Sequence, residues 1–301
     1  MFDSSWLWAV FTLLAAAGQT ARNAMQRELT ASLGTVGATH VRFLFGFPFA
    51  LVFLTGVVLV TGAALPRPGL IFVPWVLLGA LAQIAATALM LAAMSQRSFV
   101  VTVAYIKTEP VQVAIFGLLF LGDTVTVPMM AAIIIATAGV IVMSFKPGVS
   151  ASGGVRPTLV GLAAGGMFAL SAIGYRGAIL SLGQSNFVMA ATFTVTLGLV
   201  LQASLLTVYL ALRDRAVLSA IAAQWRRSLF AGFMGATASE FWFLAFAIAT
   251  AASVRTVALV EVLFAQAISA FIFKQATSAR EGVGMAMIVV GVVVLIWAHP
   301  S

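Results

Sequence analysis

The sequence contains no cysteine and only two histidines. Without cysteine, disulfides, thiolate metal sites and cysteine nucleophiles are excluded. His40 and His299 lie at opposite ends of the chain, so we do not expect a histidine-based metal site or catalytic triad. The motifs GxxxxGK[ST], HExxH and GxSxG are also missing, which leaves no Walker A loop for ATP. We therefore predict that the protein is not an enzyme and carries no metal or other cofactor.

Charged residues are scarce as well. Only 8% of the 301 residues are charged, while 62% are hydrophobic. Soluble globular proteins carry about 25% charged residues, and no soluble core could hide this much apolar surface. The composition predicts a polytopic membrane protein. The net charge of +8 then indicates basic cytoplasmic loops, not nucleic-acid binding.

Long apolar runs occupy the space between these few charges. A membrane-spanning helix needs about 20 mainly apolar residues. The first run begins within five residues of the N-terminus without a basic segment before it, so we interpret it as a spanning helix and not as a signal peptide. The ten predicted spans are 5–25, 35–61, 70–94, 98–120, 127–145, 157–178, 187–211, 228–250, 254–274 and 281–298.

The two halves of the chain resemble each other. Glu109 and Glu261 lie 152 positions apart, and so do Gly139 and Gly291. The pattern predicts a first five-helix repeat over residues 1–145, a linker over 146–156 and a second repeat over 157–301. Because each unit has an odd number of spans, the second would be inverted in the membrane. Inverted repeats with a site near the midplane are typical of secondary transporters. The predicted fold class is thus an all-α membrane protein of ten helices around a central cavity.

Basic residues are distributed unevenly between the two predicted sides. Loops after odd-numbered spans hold ten of them, against two on the opposite side. By the positive-inside rule, the ten-charge side is cytoplasmic and both termini lie outside.

Three acidic residues fall inside predicted spans: Glu109, Glu240 and Glu261. A charge in the membrane needs a partner or a wet cavity, and it is a functional-site hypothesis by default. The candidate counter-charges are Arg22, Arg42, Lys107 and Arg255. One interpretation is proton coupling or recognition of a charged or zwitterionic substrate. The other is a set of internal ion pairs that holds the helices together.

Polar residues recur four positions apart on otherwise apolar helices, which places each pair on one helix face. These pairs are Gln19 and Asn23, Gln83 and Thr87, Tyr105 and Glu109, and Ser171 and Tyr175. They line a cavity in one interpretation and bond neighbouring helices in the other. Trp242, beside Glu240, would add an apolar wall. The substrate-binding candidates are Gln19, Asn23, Gln83, Tyr105, Glu109, Tyr175, Glu240, Trp242 and Glu261, and the hinge candidates are Pro48 and Pro110, which remove backbone donors within spans.

The repeated unit resembles the drug/metabolite transporter superfamily in its ten-helix, EamA-type form. The resemblance is carried by Glu109-Pro110 with the following segment 121–124, by Gly139-Val140, by the segment 260–265 with Gly291-Val292, and by Arg42-Phe43. The second copy departs from the family pattern, with Val262 where a proline is usual and Gln275 where an acidic residue is usual.

This resemblance implies a secondary carrier of the bacterial inner membrane that moves small organic solutes by alternating access. It favours an exporter of amino acids, aromatic and other neutral ones, and the aromatic amino-acid exporter branch in particular. The expected partners are a small-molecule substrate, the lipid bilayer and a coupling proton; we expect a monomer and no nucleic-acid partner. The family has both termini in the cytoplasm, contrary to the charge count, so the orientation is left open.

Other functions are weighed against this one. A carrier of a vitamin, a nucleotide-linked compound or a cationic drug is a second possibility within transport. An intramembrane enzyme acting on lipids would need clustered nucleophiles, bases or metal ligands, and the sequence offers none. A non-transporting receptor or scaffold remains as an alternative from a different class.

Overall fold

The computed structural model describes residues 6–94, 105–144, 155–184, 186–271 and 278–298, and every regular element within these ranges is helical. The helices are α1 (Leu7–Leu44), α2 (Phe47–Thr61), α3 (Phe72–Met94), α4 (Glu109–Phe116), α5 (Val127–Ser144), α6 (Val155–Ser181), α7 (Phe187–Arg213), α8 (Arg215–Ala223), α9 (Trp225–Ile248), α10 (Ala251–Val257), α11 (Glu261–Phe271) and α12 (Ala279–Ala298). A π-helical turn extends α4, and a 3₁₀ turn joins α10 to α11.

The outer surface of the protein is apolar. Large side chains such as Leu59, Val60 and Leu70 are exposed on it, and seven of the described helical segments are long and apolar enough to cross a membrane. A soluble monomer rarely exposes extensive apolar patches, whereas a bilayer solvates them. The chain is therefore a multi-pass membrane protein, as its composition predicted.

Most predicted spans coincide with observed helices. The third, fifth, sixth, seventh, eighth and tenth agree with α3, α5, α6, α7, α9 and α12 to within three residues at either end. The beginning of the fourth span, most of the linker at 146–156, the end of the ninth span with Gln275, and His299 lie outside the described residues. The count of ten crossings and the inversion of the second repeat stay predictions.

The connection between the first two predicted spans differs from the prediction. Residues 26–34, predicted as a connection, are almost entirely helical, and only Gly34 departs, with φ of 66°. The Gln26 side chain donates to the carbonyl of Ala38 at 3.0 Å. Twelve residues of straight helix would separate these positions by about 18 Å. The chain therefore reverses at Gly34, and a single residue supplies the turn because glycine adopts positive φ without strain.

The basic connection between the seventh and eighth predicted spans also contains a helix. α8 occupies it, with Ile221 buried in a cluster that includes Leu29 and Leu33 of α1. The Ser32 hydroxyl and the Gln224 side-chain amide hydrogen-bond to each other across the same contact. Hydropathy did not indicate this helix, because its nine residues are far fewer than the roughly 20 that a spanning helix needs.

Two helices of the bundle interior begin at glutamates after irregular backbone. Lys107 and Thr108 form a turn before α4, which begins at Glu109, and the 3₁₀ turn precedes α11, which begins at Glu261. Pro110 therefore lies in the first turn of α4, and Pro48 likewise in that of α2, where a missing N–H leaves no bond unmade. The backbone is irregular just before each proline, and neither proline lies in a helix interior as the sequence suggested; a hinge role for the two prolines stays a prediction.

The most extensive helix contacts all join one half of the chain to the other: α3 with α6, α5 with α12, and α1 with α9. Glycines allow the α5–α12 approach, since a methyl on Gly139 would lie 2.7 Å from the Gly284 carbonyl oxygen. A methyl on Gly291 would lie 2.8 Å from the carbonyl oxygen of Ala132. The two contacts correspond under the 152-residue offset: Gly139 corresponds to Gly291, and Ala132 corresponds to Gly284. A duplicated pair of helices related by a pseudo-two-fold axis would show this correspondence.

Candidate functional site

A small cavity lies where helices from both halves converge. Its volume is about 20 Å³, which is room for roughly one water molecule. In this structure the cavity is therefore too small to hold an organic solute. The lining residues are Gln19, Arg42, Gln83, Phe168, Ser171, Ala172, Tyr175, Ser239, Trp242, Phe243, Phe246 and Arg255.

One wall of the cavity is aromatic. Trp242 stacks on Phe246 with ring centroids 6.2 Å apart, and Tyr175 packs against Phe243 at 4.5 Å. Phe246 follows Trp242 by four positions and Phe243 by three, so it shares a face of α9 with each of them. Such rings form an apolar bed that can hold a flat or bulky group once the cavity widens.

The first ion pair at the cavity joins the two halves of the chain. The Arg255 guanidinium of α10 donates to Glu109 Oε2 at 2.6 Å, and both side chains are nearly buried. The same guanidinium lies over the Trp242 ring, 4.6 Å from its centroid. Arg255 thus connects the aromatic wall to the first turn of α4, where the helix dipole also favours a carboxylate.

In the second ion pair the cation comes from the first half of the chain and the carboxylate from the second half. Lys107, just before α4, pairs with Glu261 at the start of α11. Gln19 of α1 donates to the other carboxylate oxygen of Glu261 at 3.0 Å. Each half of the chain therefore contributes one glutamate and one cation to the two pairs, and each pair joins one half to the other.

Arg42 lies on the cavity wall without a carboxylate. Among the described residues its guanidinium hydrogen-bonds to the hydroxyls of Thr87 and Ser239, both at 3.4 Å, and lies over the Phe43 ring, while its Nε has no hydrogen-bond partner. These contacts are long for hydrogen bonds from a cation. Arg22, also fully buried, donates to Asn23 Oδ1 at 2.7 Å and leaves Nε and Nη1 without partners.

Other polar side chains bond to one another at or around the cavity. Gln202 donates to Gln83 Oε1 at 2.9 Å and so fixes the Gln83 amide. Thr192 donates to Glu240 at 2.5 Å, and the second carboxylate oxygen of Glu240 has no partner. The hydroxyl of Tyr175 is buried and also unpartnered. Within the described ranges, no group of three or more acidic and histidine side chains is placed to hold a metal ion.

The structure brings some of the sequence candidates together and separates others. Gln19, Gln83, Tyr175 and Trp242 line the cavity. Glu109 and Glu261 lie one contact behind the wall, through Arg255 and Gln19 respectively. Three candidates neither line the cavity nor take part in these two contacts: Asn23, Tyr105 and Glu240.

Several lining residues were not among the sequence candidates. Phe168 precedes Ser171 by three positions, and Ser239 precedes Trp242 and Phe243 by three and four. Extending the faces marked by Ser171 and Trp242 by one helical turn would have found them. Arg42 and Arg255 were considered only as counter-charges, because sequence alone does not show which charges face an open space.

A separate set of contacts around Arg176 joins three elements next to the site. Arg176 of α6 donates to the carbonyls of Phe246, at 2.6 Å, and Ala249, where α9 ends. It also pairs with Asp123, on the connection before α5, at 3.4 Å. A cation at these carbonyls satisfies the C-terminus of α9 and favours the negative end of its dipole. The contacts tie α6, α9 and the α4–α5 connection together.

No protein-family model and no curated protein matches the chain. A solved structure described only as "Crystal structure of protein" is similar over 98% of this chain and 97% of its own, with a TM-score of 0.69 and 16% sequence identity. At this identity the likeness shows the fold alone. Fold and site together define a multi-pass helical membrane protein with a closed polar and aromatic cavity between its two halves.

Proposed function

We propose that the protein is a secondary carrier that moves amino acids, aromatic and other neutral ones, across the membrane by alternating access. In this proposal it belongs to the ten-helix, EamA-type branch of the drug/metabolite transporter superfamily that its motifs resemble. The contacts Gly139–Gly284 and Ala132–Gly291, which correspond under the 152-residue offset, support the inverted duplication that this family uses.

The observation that carries the proposal is the pair of ion pairs beside the cavity. A buried ion pair is weak evidence for stability alone, since its desolvation cost can exceed its Coulombic gain. Here both pairs, Arg255 with Glu109 and Lys107 with Glu261, cross the interface that must rearrange if the cavity opens. Charges that exchange partners between two arrangements can stay satisfied in each, which suits a bistable carrier better than a rigid scaffold.

The wall chemistry favours one substrate class over the others. It holds aromatic rings, amides and hydroxyls beside the two cations Arg42 and Arg255, and no acidic residue is among its described members. This combination suits a solute with a carboxylate and an apolar or aromatic part. A cationic drug would meet two like charges without water between them, so we rank that alternative lower.

The closed cavity sets the order of events in this mechanism. Room for one water must widen to admit an amino acid, so substrate binding requires the halves to separate on one side. The amides of Gln19 and Gln83 then face the polar end of the substrate, and Trp242 with Phe246 faces its side chain. Closure around the substrate and opening to the other side complete the transfer, with Glu109 and Glu261 as the groups that can couple it to a proton.

The test is counterflow in proteoliposomes. Purified protein is reconstituted with an unlabelled amino acid inside, and uptake of the same labelled amino acid is measured across aromatic, aliphatic, hydroxylated and charged members. We expect transient accumulation, greatest for aromatic amino acids. Glu109→Gln should abolish it or uncouple it from pH, while the matched control Glu28→Gln, at an exposed carboxylate, should retain it.

The double variant Glu109→Gln with Arg255→Met separates a functional role from a structural one. It removes both charges of the pair and so avoids an unpaired buried cation. A folded but inactive double variant supports a role for the pair in transport. Wild-type exchange in either variant would assign Glu109 to packing, and no accumulation of any amino acid by folded wild-type protein would overturn the amino-acid proposal.

A further inference from the structure

Two buried arginines at the cavity have no acidic partner among the residues that the structure describes. The exposed fractions of Arg22 and Arg42 are 1% and 2%, and neither is among the ion pairs formed by the described residues. The three glutamates of the predicted spans bond to other groups: Glu109 to Arg255, Glu261 to Lys107 and Gln19, and Glu240 to Thr192 through one of its two oxygens. The site therefore holds an excess of positive charge.

A glycine on α9 leaves room for the side chains of both arginines. A methyl group on Gly235 of α9 would lie 3.3 Å from Arg22 Cδ and 3.3 Å from Arg42 Cγ. The two side chains thus pass on either side of one glycine, and any larger residue there would press on their stems. Three of their N–H-bearing nitrogens, Arg22 Nε and Nη1 and Arg42 Nε, have no acceptor.

Leaving guanidinium groups buried and unpaired is costly, because each loses its hydration without a compensating carboxylate. A ligand that supplies the missing anion recovers this energy on binding. Arginine suits that role because its planar fork matches the two oxygens of a carboxylate. We propose that Arg42, supported by Arg22, is the binding site for the substrate's carboxylate. The proposal rests on the carrier function proposed above and names the group through which that site recognises its substrate.

The amino group of the substrate has no equivalent site. The described cavity wall contains no acidic residue, and the glutamates behind it are already bonded to cations. An ammonium group can be met only by neutral acceptors such as the amide oxygens of Gln19 and Gln83 or the hydroxyls of Ser171 and Ser239. The substrate class therefore extends from amino acids to aromatic and apolar carboxylates that lack an amine.

The experiment compares three ligands that differ by one group: L-phenylalanine, 3-phenylpropionate without the amine, and 2-phenylethylamine without the carboxylate. Each is measured for thermal stabilisation of the purified protein and for inhibition of amino-acid counterflow. We expect 3-phenylpropionate to act at concentrations comparable to phenylalanine. 2-Phenylethylamine should be at least about tenfold weaker, since it cannot make the charged hydrogen bonds to Arg42.

Variants of Arg42 locate the effect. Arg42→Gln should weaken both carboxylates at least about tenfold and leave the amine unchanged, and Arg42→Lys should be intermediate because it keeps the charge but loses the fork. The control Arg280→Lys changes an exposed arginine that donates to the Val142 carbonyl and does not line the cavity, and it should preserve the carboxylate preference. The ligand comparison on the unmodified protein needs no variant to fold.

The outcomes separate this inference from the proposed function. Counterflow of amino acids with 2-phenylethylamine as effective as 3-phenylpropionate would overturn the carboxylate site and leave the carrier proposal standing. Stabilisation by both carboxylates without counterflow would support the carboxylate site and overturn the carrier. Unchanged carboxylate preference in folded Arg42→Gln would remove Arg42 from recognition.

Discussion

The coupling between Glu109 and Arg255 can be predicted in magnitude. Their charged atoms are 2.6 Å apart, and the side chains are 8% and 12% exposed, respectively. Removing one member of a buried pair costs about 3–5 kcal/mol, because the other charge stays buried without a partner. For Glu109→Gln we expect the lower end, about 3 kcal/mol, since the amide oxygen of glutamine still accepts one hydrogen bond.

Arg255→Met leaves Glu109 unpaired and also removes the guanidinium from the Trp242 ring, 4.6 Å away. We expect this single variant to cost about 4 kcal/mol, the cation–π part being roughly 0.5–2 kcal/mol. The double variant leaves no unpaired charge, and its cost should be only about 1–2 kcal/mol, well below the sum of the singles.

The measurement is a double-mutant cycle on the free energy of unfolding in mixed detergent micelles, followed by tryptophan fluorescence. A coupling of at least about 3 kcal/mol between the two positions would agree with the structure. Additive single effects, within about 0.5 kcal/mol, would refute it, since they would show that the two side chains do not depend on each other.

The remaining predictions concern packing and the aromatic wall. Gly139→Ala should destabilise the protein by about 1–3 kcal/mol, because its methyl would lie 2.7 Å from the Gly284 carbonyl oxygen. Gly282→Ala, which adds a methyl in open space, should be neutral or stabilising in the same unfolding measurement. Trp242→Leu should strongly reduce counterflow of aromatic amino acids, while the matched change at Trp297, which is 83% exposed, should not; equal effects would remove Trp242 from the substrate wall.

The position of most helices could be predicted from the sequence because burial in a bilayer is a local property. Each span must carry about 20 apolar residues in a row, so the boundaries of α3, α5, α7 and α12 are readable from hydropathy alone. The same argument singled out Glu109 and Glu261, since a charge in such a run stands out. It failed at α8, whose burial depends on contact with α1 and not on its own composition.

The partners of the buried charges are a different matter, because they are decided by which helices pack together. Sequence placed Lys107 two residues from Glu109, yet the structure pairs it with Glu261, and Glu109 with Arg255. The sequence likewise offered Arg22 and Arg42 as candidate counter-charges for the glutamates. Only the packed bundle shows that guanidinium nitrogens of both arginines have no hydrogen-bond partner. Hydropathy is set residue by residue along the chain, whereas an ion pair or an orphaned cation is set by helices more than a hundred residues apart, whose contacts exist only after the two halves have assembled.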